Sequence, residues 1–330
     1  MKVLITGGTG FIGSHLVAAL VQRGITCRLL VRDRKRAGQQ FSDEIELFQG
    51  DITNPTSLSG LAKGITHVVH LAAMGHVSAL SDKAYHEFTK VNVQGTLNLM
   101  EACKEGVISR FVHFSSTAAM GLLHKEGQVN ELDTPKPITP YQRSKLESER
   151  AALKKGNELE IPVVILRPCM VYGKGTGNGE FFKIAELMRK GLFPKVGRGS
   201  NLTPLVNVQD VVQAAIAALE QGKGSEIYII ASKVSLPMDE LRDLIMKAWG
   251  KKTLYPYVPV WLMFALSAMI ELYALIRGAV SIVTRYNIAN TVWDREFSIA
   301  KAYRDLGYEP SIDFASGIDE VVSWYRAQQK

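Results

Sequence analysis

The feature that most constrains the fold is a glycine-rich stretch at residues 3–13. It opens with the apolar run Val-Leu-Ile, which is typical of a buried parallel strand, and apolar residues then recur at helical spacing from Phe11 onward. Gly7 permits a tight turn and Gly10 lets a pyrophosphate approach the backbone, while Gly13 lets the helix pack against the strand. The pattern therefore predicts a dinucleotide whose pyrophosphate lies at the N-terminus of the first helix.

Strand-like and helical segments alternate through the first half of the chain. This alternation predicts an α/β fold with a doubly wound parallel sheet, the Rossmann fold. The strands are expected at residues 3–5, 27–31, 45–49, 67–71, 110–115 and 163–166, and the helices at 11–21, 85–104 and 140–153. Since such a sheet binds its ligands beyond the carboxyl ends of its strands, four segments should line one crevice: residues 7–10, 72–74, 115–117 and 167–170.

The texture of the sequence changes near residue 170, where glycines and prolines begin to crowd the chain. We therefore expect a dinucleotide-binding Rossmann domain over residues 1–170 and a smaller, mostly C-terminal α+β lobe over 171–330 that binds the substrate. Residues 205–232 are expected to return to the first domain, and residues 258–283 to form an apolar helical segment of the lobe.

Composition bounds the class of protein. Hydrophobic residues make up 46% of the 330 residues and charged residues 22%, as in a globular protein with a real core. The net charge of +7 permits anionic ligands or membrane surfaces, but it also fits a mildly basic soluble protein. Cys27, Cys103 and Cys169 form no CxxC pair, which argues against a disulfide framework or a zinc site and suits a reducing cytoplasm. No signal peptide is expected before a strand that begins at residue 2.

The end of the second strand bears on the choice between NAD and NADP. An acidic residue at this point binds the ribose 2′-hydroxyl of NAD, whereas an arginine meets the 2′-phosphate of NADP. Arg32 follows the strand at once, and Asp33, twenty residues after Gly13, is the acidic rival. Residues 34–36 are also basic, which fits either a phosphate site or a solvated loop. We favour NADP(H) and leave NAD(H) open.

Tyr141 and Lys145 lie four residues apart, and hence on one face of the predicted helix. A phenol ordinarily titrates at about pH 10, so it exchanges protons at neutral pH only if something stabilises the phenolate. A nearby lysine ammonium supplies that stabilisation, and a general acid–base group works best when its pKa is near the working pH. Residues 115–117, at the end of the fifth strand, offer hydroxyl groups to orient a substrate carbonyl.

Together these segments resemble the extended short-chain dehydrogenase/reductases of the NAD-dependent epimerase/dehydratase superfamily over nearly the full length. The matching motifs are TGGTGFIG at 6–13, GDIT at 50–53, HLAA at 70–73, VNVQGT at 91–96, FSST at 114–117, YQRSK at 141–145 and LRPCMVYG at 166–173. The resemblance implies a catalytic triad of Ser116, Tyr141 and Lys145, in which the tyrosine is the acid–base. The lysine would hold the nicotinamide ribose and lower the pKa of the phenol. Counting back from Gly121 and from Tyr141 selects Ser116 over Thr117.

The same motifs imply which residues contact the cofactor. Besides the tyrosine and lysine of the triad, they are Gly7, Gly10, Phe11, Ile12, Gly13, Arg32, Asp51, Ile52, Leu71, Ala72, Ala73 and Pro168. Hydride would pass directly between nicotinamide C4 and a substrate carbon. Extended members of the family commonly dimerise through the helices expected at 85–104 and 140–153, so a homodimer is expected.

Departures from the family's pattern bear on the substrate. Nucleotide-sugar enzymes resemble RPxNVYG at residues 167–173 and often carry an arginine for the diphosphate, where this chain has Met170 and Thr203. Met74, Met120 and Met170, with Thr117, are expected to line an adaptable apolar pocket, although each methionine is also consistent with a core position. Residues 197–211 and 297–311 look more like the 3β-hydroxysteroid and sterol dehydrogenase branch.

An apolar stretch separates those two segments. Residues 260–270 carry no charge, and five more uncharged residues lie between Glu271 and Arg277. Eleven uncharged residues are too few for a membrane span, which needs about 20. A buried helix pair or a substrate lid is our first expectation for 258–283, and contact with a membrane surface is the alternative.

Three hypotheses about function follow. The first is an NAD(P)-dependent oxidoreductase that interconverts a secondary alcohol and a ketone on a fairly apolar, sterol-like or β-hydroxy/keto substrate. The second is a nucleotide-sugar epimerase or dehydratase with tightly bound NAD. The third is a non-catalytic NADP(H)-binding sensor, against which an intact triad argues. The sequence has no metal-binding motif, hydrolase elbow or nucleic-acid motif.

Overall fold

A computed structural model describes residues 1–75, 82–123, 126–175, 179–251, 255–277, 281 and 284–328. Its strands are β1 (Lys2–Thr6), β2 (Thr26–Val31), β3 (Glu46–Gln49), β4 (His67–His70), β5 (Arg110–Phe114), β6 (Val163–Pro168), β7 (Met170–Tyr172), β8 (Lys195–Val196), β9 (Leu202–Thr203), β10 (Leu205–Asn207), β11 (Glu226–Ile230), β12 (Leu236–Pro237) and β13 (Tyr257–Val258). Its helices are α1 (Phe11–Gln22), α2 (Arg34–Gly38), α3 (Asp82–Phe88), α4 (Gly95–Ala102), α5 (Pro140–Leu159), α6 (Glu180–Arg189), α7 (Val208–Gln221), α8 (Met238–Trp249), α9 (Val260–Ile276), α10 (Arg285–Val292), α11 (Ala300–Leu306) and α12 (Phe314–Gln328). A π-helical segment, Thr89–Gln94, joins α3 to α4.

Seven parallel strands form one sheet in the order β11-β6-β5-β4-β1-β2-β3. The order reverses at β1, where Thr6 is paired with Leu30 of β2 on one side and with His70 of β4 on the other. A doubly wound sheet binds its ligand at this switch point, beyond the carboxyl ends of the strands. The predicted fold class is confirmed, and the ends of β1, β4, β5 and β6 meet along one edge.

Helices cover both faces of the sheet, which is why its strands read as continuous apolar runs. Val3 and Ile5 belong to the apolar layer that contains residues of α1 and α7, whereas Leu4 belongs to the layer that contains residues of α4 and α5. All three side chains are fully buried. The alternation follows the two-residue period of a strand and places the sheet at the centre of the core.

The second half of the chain builds a third apolar cluster from residues of α6, α8 and α12. The chain also returns to the sheet, because β11 pairs with β6 and α7 packs against α1. Two hydrogen bonds join the segment after α11 to these elements. The Tyr308 hydroxyl donates to the carbonyl of Ala231 at 2.9 Å, and the Ser311 N–H donates to the carboxylate of Asp210 at 2.9 Å. The C-terminal segment is thereby attached to the end of β11 and to α7.

Two helices differ from their expected bounds. Helix α5 starts at a capping box of Thr139 and Gln142 and ends at Leu159 rather than 153, because the chain first leaves helical geometry at Glu160, with φ of 55°. The helix expected over 85–104 is divided into α3, the π-helical segment and α4. A π segment shifts the helical phase, and functional sites often contain one. Here it carries the buried Asn92.

The apolar stretch forms one surface helix, α9, whose only buried residues are Ser267 and Ala274. Helix α10 packs against one side, where Glu271 accepts hydrogen bonds from the backbone N–H and guanidinium of Arg285. The expectation of a buried helix pair is therefore wrong, since α10 covers one side only and the other exposes large apolar side chains. Residues 278–280 and 282–283 of the expected segment lie outside the described residues. Among the described helices, none has both the length and the apolar character needed to cross a bilayer.

Candidate active site

The turn after β1 is packed so closely that only glycine fits at two positions. Gly7 has φ of +72°, and a Cβ atom on it would lie 2.7 Å from the backbone nitrogen of Ala72. A Cβ atom on Gly13 would lie 2.2 Å from the carbonyl oxygen of Gly7. The Gly10 N–H closes the turn by donating to that same oxygen at 3.0 Å. The turn thus lies directly between the start of α1 and the end of β4.

The N-terminus of α1 is arranged to accept an anion. Gly10 caps the helix without a side-chain hydrogen bond, and the first turn contains no acidic residue. Phe11 and Ile12 begin the helix and are half-buried. Backbone N–H groups and the positive end of the helix dipole are therefore left for a ligand, and a pyrophosphate matches them in charge and hydrogen bonding. The residues of this cradle fit a dinucleotide.

Charged side chains surround the end of β2. Arg32 is exposed, whereas Asp33 caps α2 by accepting the Arg36 N–H at 2.9 Å. Asp51 accepts hydrogen bonds from the N–H and the hydroxyl of Thr53. These bonds, with the positive charge of Arg32, hold the pKa of Asp51 below its ordinary value. An exposed cationic group thus stands directly after β2.

Tyr141 and Lys145 lie one turn apart on α5. Lys145 is buried, and its Nζ donates a hydrogen bond to the carbonyl of Phe114 at 2.7 Å. Burial lowers the pKa of Lys145 from 10.5 to about 8, while the Glu149 carboxylate opposes this shift. The Tyr141 ring packs against Phe88, with ring centroids 5.7 Å apart. A buried ammonium that is charged at neutral pH therefore stands one turn from a phenol.

Three hydroxyl residues follow β5. Ser116 accepts the Ala118 N–H at 3.1 Å and so caps the 3₁₀ turn Thr117–Met120. Thr117 is buried, and the Ser115 hydroxyl is buried without a hydrogen-bond partner among the described residues. Because Lys145 is anchored at the carbonyl of Phe114, the structure brings the pair on α5 and Ser116 to the same strand end.

A buried chain of hydrogen bonds at the end of β4 is not predicted by any of the sequence patterns above. His70 lies with Nδ1 2.6 Å from the hydroxyl of Thr6 and Nε2 2.9 Å from the hydroxyl of Thr96. The Thr96 hydroxyl donates to the carbonyl of Asn92 at 2.6 Å, so its oxygen accepts from Nε2–H, and Nδ1 accepts the hydrogen of the Thr6 hydroxyl. Burial lowers the pKa of His70 to about 3. The neutral ring therefore links the glycine turn to α4, and its one signal in the sequence is the HLAA motif.

Asn92, in the π-helical segment, holds the loop that follows β4. Its Oδ1 accepts the Met74 N–H at 2.7 Å, and its Nδ2 donates to the Met74 carbonyl at 3.1 Å and to the hydroxyl of Ser144 at 3.0 Å. Ser144 in turn donates to the carbonyl of Tyr141. Asn92 thus joins the loop after β4 to the helix that carries the tyrosine, although its only signal in the sequence is its place in the VNVQGT motif.

A buried ion pair connects α5 to β6. The guanidinium of Arg167 binds both carboxylate oxygens of Glu149, at 2.9 and 2.6 Å, and its Nη1 lies 2.8 Å from Met120 Sδ. Met120 is fully buried in the core. The expectation that it lines a substrate pocket is therefore corrected, because its side chain packs between the guanidinium and the core instead of reaching the crevice.

The other predicted site residues follow the strand ends as expected from the sheet. Met74 and Met170 are half-buried, and Ile52 is buried against Gly95, where a Cβ atom would lie 2.7 Å from Ile52 Cδ1. The positions directly after β4 are Leu71, Ala72 and Ala73, and the last residue of β6 is Pro168. Thr203 is buried in β9, opposite Leu236 of β12.

Residues 3–231, from β1 to just beyond β11, match the NAD dependent epimerase/dehydratase family. The chain belongs to this family. It is an enzyme of the extended short-chain dehydrogenase/reductase type, whose members include NAD-dependent dehydratases, epimerases and dehydrogenases.

Relatives of similar length belong to several branches of the family. The chain is 28% identical over 346 residues to a dTDP-glucose 4,6-dehydratase of Actinoplanes sp., covering 100% of this chain and 99% of the relative. It is 28% identical over 327 residues to the 4-hydroxy-2-methyl-3-oxo-4-farnesyl-3,4-dihydroquinoline-1-oxide ketoreductase of Stigmatella aurantiaca, covering 97% and 96%. It is 28% identical over 342 residues to a 3 beta-hydroxysteroid dehydrogenase/Delta 5-->4-isomerase of Mycobacterium tuberculosis, covering 98% and 90%.

The fold also matches that of a solved family member with its cofactor. DesIV, a dTDP-glucose 4,6-dehydratase from Streptomyces venezuelae solved with NAD and TYD bound, is 26% identical with a TM-score of 0.79, covering 100% of this chain and 98% of that one. A nicotinamide dinucleotide is therefore the cofactor class of the family, in agreement with the glycine cradle at α1.

Proposed function

We propose that the chain interconverts a secondary alcohol and a ketone on a fairly apolar substrate and prefers NADP(H) to NAD(H). The observation that carries this proposal is the buried Lys145, held at the carbonyl of Phe114 one helical turn after Tyr141. In a fold with a cradle for a dinucleotide, this pair supplies the proton transfer that must accompany the transfer of a hydride.

Tyr141 is the group that moves the proton. During reduction its phenol donates a proton to the ketone oxygen, to which the Ser116 hydroxyl also donates a hydrogen bond. The Lys145 ammonium, charged below its pKa of about 8, stabilises the phenolate that remains. The bound cofactor supplies the hydride to the carbonyl carbon. Oxidation of the alcohol runs through the same groups in reverse, with the phenolate as the base.

The proposal of an apolar substrate rests on two positions. Met170 at the start of β7 and the buried Thr203 in β9 stand where nucleotide-sugar enzymes carry an asparagine and an arginine. Neither side chain offers a positive charge to a diphosphate, and a methionine adapts to irregular apolar ligands. Two relatives act, by name, on a farnesyl-bearing ketone and on a hydroxysteroid. We therefore propose a sterol-like or β-hydroxy/keto substrate.

The preference for NADP(H) rests on the end of β2. Arg32 is exposed and follows the strand directly, while the carboxylate of Asp33 is engaged at the N-terminus of α2. A guanidinium binds the 2′-phosphate of NADP through charge-assisted hydrogen bonds, whereas the 2′-hydroxyl of NAD carries no charge for it to bind.

Substitution of Tyr141 tests the proposed reaction. Tyr141→Phe should lower turnover on the order of a hundredfold or more, because loss of a general acid–base group costs about that much. NADPH affinity should remain near that of the wild type. The assay follows NADPH and NADH oxidation with ketones of increasing size, and Tyr303→Phe at an exposed position is the control. Unchanged turnover in the Tyr141 variant would overturn the assignment.

A nucleotide-sugar epimerase or dehydratase with tightly bound NAD is the second candidate, because the likeness to the dTDP-glucose dehydratase extends over the full chain. A saturable rise in melting temperature with UDP- or dTDP-sugars, together with NAD that copurifies with the protein, would favour it over the alcohol–ketone reaction.

A further inference from the structure

Half of the exposed large apolar side chains in the described part of the chain lie within one short region. Nine of the 18 fall within residues 257–276: Tyr257, Trp261, Leu266, Met269, Ile270, Leu272, Tyr273, Leu275 and Ile276. Exposure reaches 70% at Trp261 and 76% at Leu275. A contiguous apolar surface of this kind marks a place where a protein contacts another molecule or a membrane.

Helical spacing places many of these side chains along one face of α9, which we call the α9 face. Its stripe recurs every three or four residues: Trp261, Ala265, Met269, Leu272 and Ile276. The buried Ser267 and Ala274 lie on the other side of the helix. Glu271, the single charged residue of α9, is engaged by Arg285 of α10. The α9 face is therefore apolar from end to end.

Basic side chains adjoin the C-terminal end of the α9 face. Arg277 directly follows the helix, is exposed, and has its guanidinium 5.5 Å from the centroid of the Tyr273 ring. Arg285 is also largely exposed, although it binds Glu271. The whole chain carries a net charge of +7. An anionic surface would attract these basic side chains. A second copy of the chain would instead bring another apolar face with basic side chains beside it.

We propose that α9 lies in the interfacial region of a lipid bilayer with anionic headgroups. Tryptophan and tyrosine favour this region because one end of each ring system is apolar and the other is wet. A helix of 17 residues with an uncharged outer face can lie flat at the boundary between headgroups and acyl chains, with Arg277 among the headgroups. The protein is thereby held on the membrane and does not cross it.

The α9 face is connected to the candidate active site through α10. Helix α10 packs against α9, and its Tyr286 accepts a hydrogen bond from the side chain of Gln142, the neighbour of Tyr141. Docking therefore holds the start of α5 near the bilayer, where an apolar ketone or alcohol is concentrated. This last step rests on the proposed function; the docking itself does not.

Flotation of the full chain with vesicles tests the docking. We expect the protein to float with vesicles of phosphatidylcholine mixed with phosphatidylglycerol, more than with phosphatidylcholine alone, and less as salt is raised. Met269→Glu and Leu272→Glu should each weaken binding on the order of tenfold or more, because a carboxylate must then enter the apolar boundary. Leu132→Glu, at a position 94% exposed elsewhere on the surface, is the matched control and should float like the wild type.

Three results would overturn the docking proposal. The first is a wild-type protein that stays with the unbound fraction when anionic vesicles are present. The second is a Leu132→Glu variant that loses binding as much as the α9 variants do. The third is a lipid-free dimer, detected by sedimentation equilibrium, that Met269→Glu dissociates, since this would assign the face to a second copy. Circular dichroism of each variant verifies that it is folded, which its exposed position favours. No substrate is used, so the outcome is independent of the proposed reaction.

Discussion

Burial of the charged Lys145 side chain in the site lowers the stability of the fold. The pKa of Lys145 falls from 10.5 to about 8 on folding because burial disfavours the charge. Between those values the unfolded chain binds more protons than the folded chain, so the free energy of unfolding rises with pH through this window. At pH 7 this burial costs about 3 kcal/mol, since a tenfold change in proton affinity corresponds to about 1.4 kcal/mol. Chemistry and stability therefore oppose each other at this residue.

Replacing the ammonium should show that cost in the cofactor-free protein. At pH 7 we expect Lys145→Met to exceed the wild type in stability by about 1 kcal/mol, since relief of the buried charge is partly offset by the unpaired carbonyl of Phe114. From pH 8 to 10 the wild type should gain about 1 kcal/mol per pH unit on the variant. Urea titrations across this range measure the difference, and the exposed Lys63→Met is the control. A difference that does not change with pH would contradict the lowered pKa of Lys145.

Arg32 governs the expected choice of cofactor. Arg32→Gln should raise the Kd for NADPH on the order of tenfold to a hundredfold, because a hydrogen bond to a charged group contributes about 1.5–3 kcal/mol, and should leave the Kd for NADH nearly unchanged. Fluorescence titration measures both constants without a substrate. Arg23→Gln, in a surface ion pair with Glu220, is the matched control. Equal affinity of the wild type for NADH and NADPH would remove the role given to Arg32.

Spacing along one helix could pair Tyr141 with Lys145, whereas Ser116 followed from the resemblance to the family. Neither could name the groups that hold these residues. The Lys145 ammonium is held by the carbonyl of Phe114, and every residue has such a carbonyl. The buried, neutral His70 depends on hydroxyl groups that only the folded sheet brings to its two nitrogens.

At the scale of elements, the ion pair between Glu149 and Arg167 fixes α5 against β6. Both side chains are buried and bonded at two points. Glu149→Gln should lower the free energy of unfolding by about 3–5 kcal/mol, because the guanidinium then remains buried without a counter-charge. Denaturation in urea measures this loss. Glu101→Gln, in an exposed pair with Lys104, should change the free energy of unfolding little. A similarly small effect of Glu149→Gln would contradict the stabilising role given to the buried ion pair.

The type of an element could be predicted where the pattern of apolar residues matches the way the element is buried. The sheet is covered on both faces, and apolar runs predicted six of its seven strands, whereas β11 was expected only within the returning segment 205–232. The same reasoning failed for the apolar stretch that forms α9. Its composition matches that of a buried helix, but burial requires a partner on every side, and α10 covers one side only. The π-helical segment Thr89–Gln94 was not predicted, because the hydrogen bond that its Asn92 accepts from Met74 joins parts of the chain that meet only in the fold.

At the scale of the whole molecule, the chain enters its sheet twice. After building most of the sheet it leaves for the segment around α6, returns as α7 and β11, and leaves again for α8 and α9. Tyr308 and Ser311 then attach the C-terminal segment to Ala231, directly after β11, and to Asp210 of α7. Neither half can lose its structure without breaking contacts that belong to the other, so the two should unfold together.

Unfolding in urea should therefore follow one transition by two probes. Tryptophan fluorescence reports the second half, because the four tryptophans are at 249, 261, 293 and 324 and Trp249 is buried in the third apolar cluster, whereas far-ultraviolet circular dichroism also reports the sheet. We expect coincident midpoints. Tyr308→Phe removes the hydrogen bond to Ala231 and should lower the free energy of unfolding by about 1 kcal/mol by both probes, while the exposed Tyr303→Phe should leave both unchanged. A fluorescence midpoint at clearly lower urea than the dichroism midpoint would show that the second half unfolds alone, and would contradict the coupling through β11.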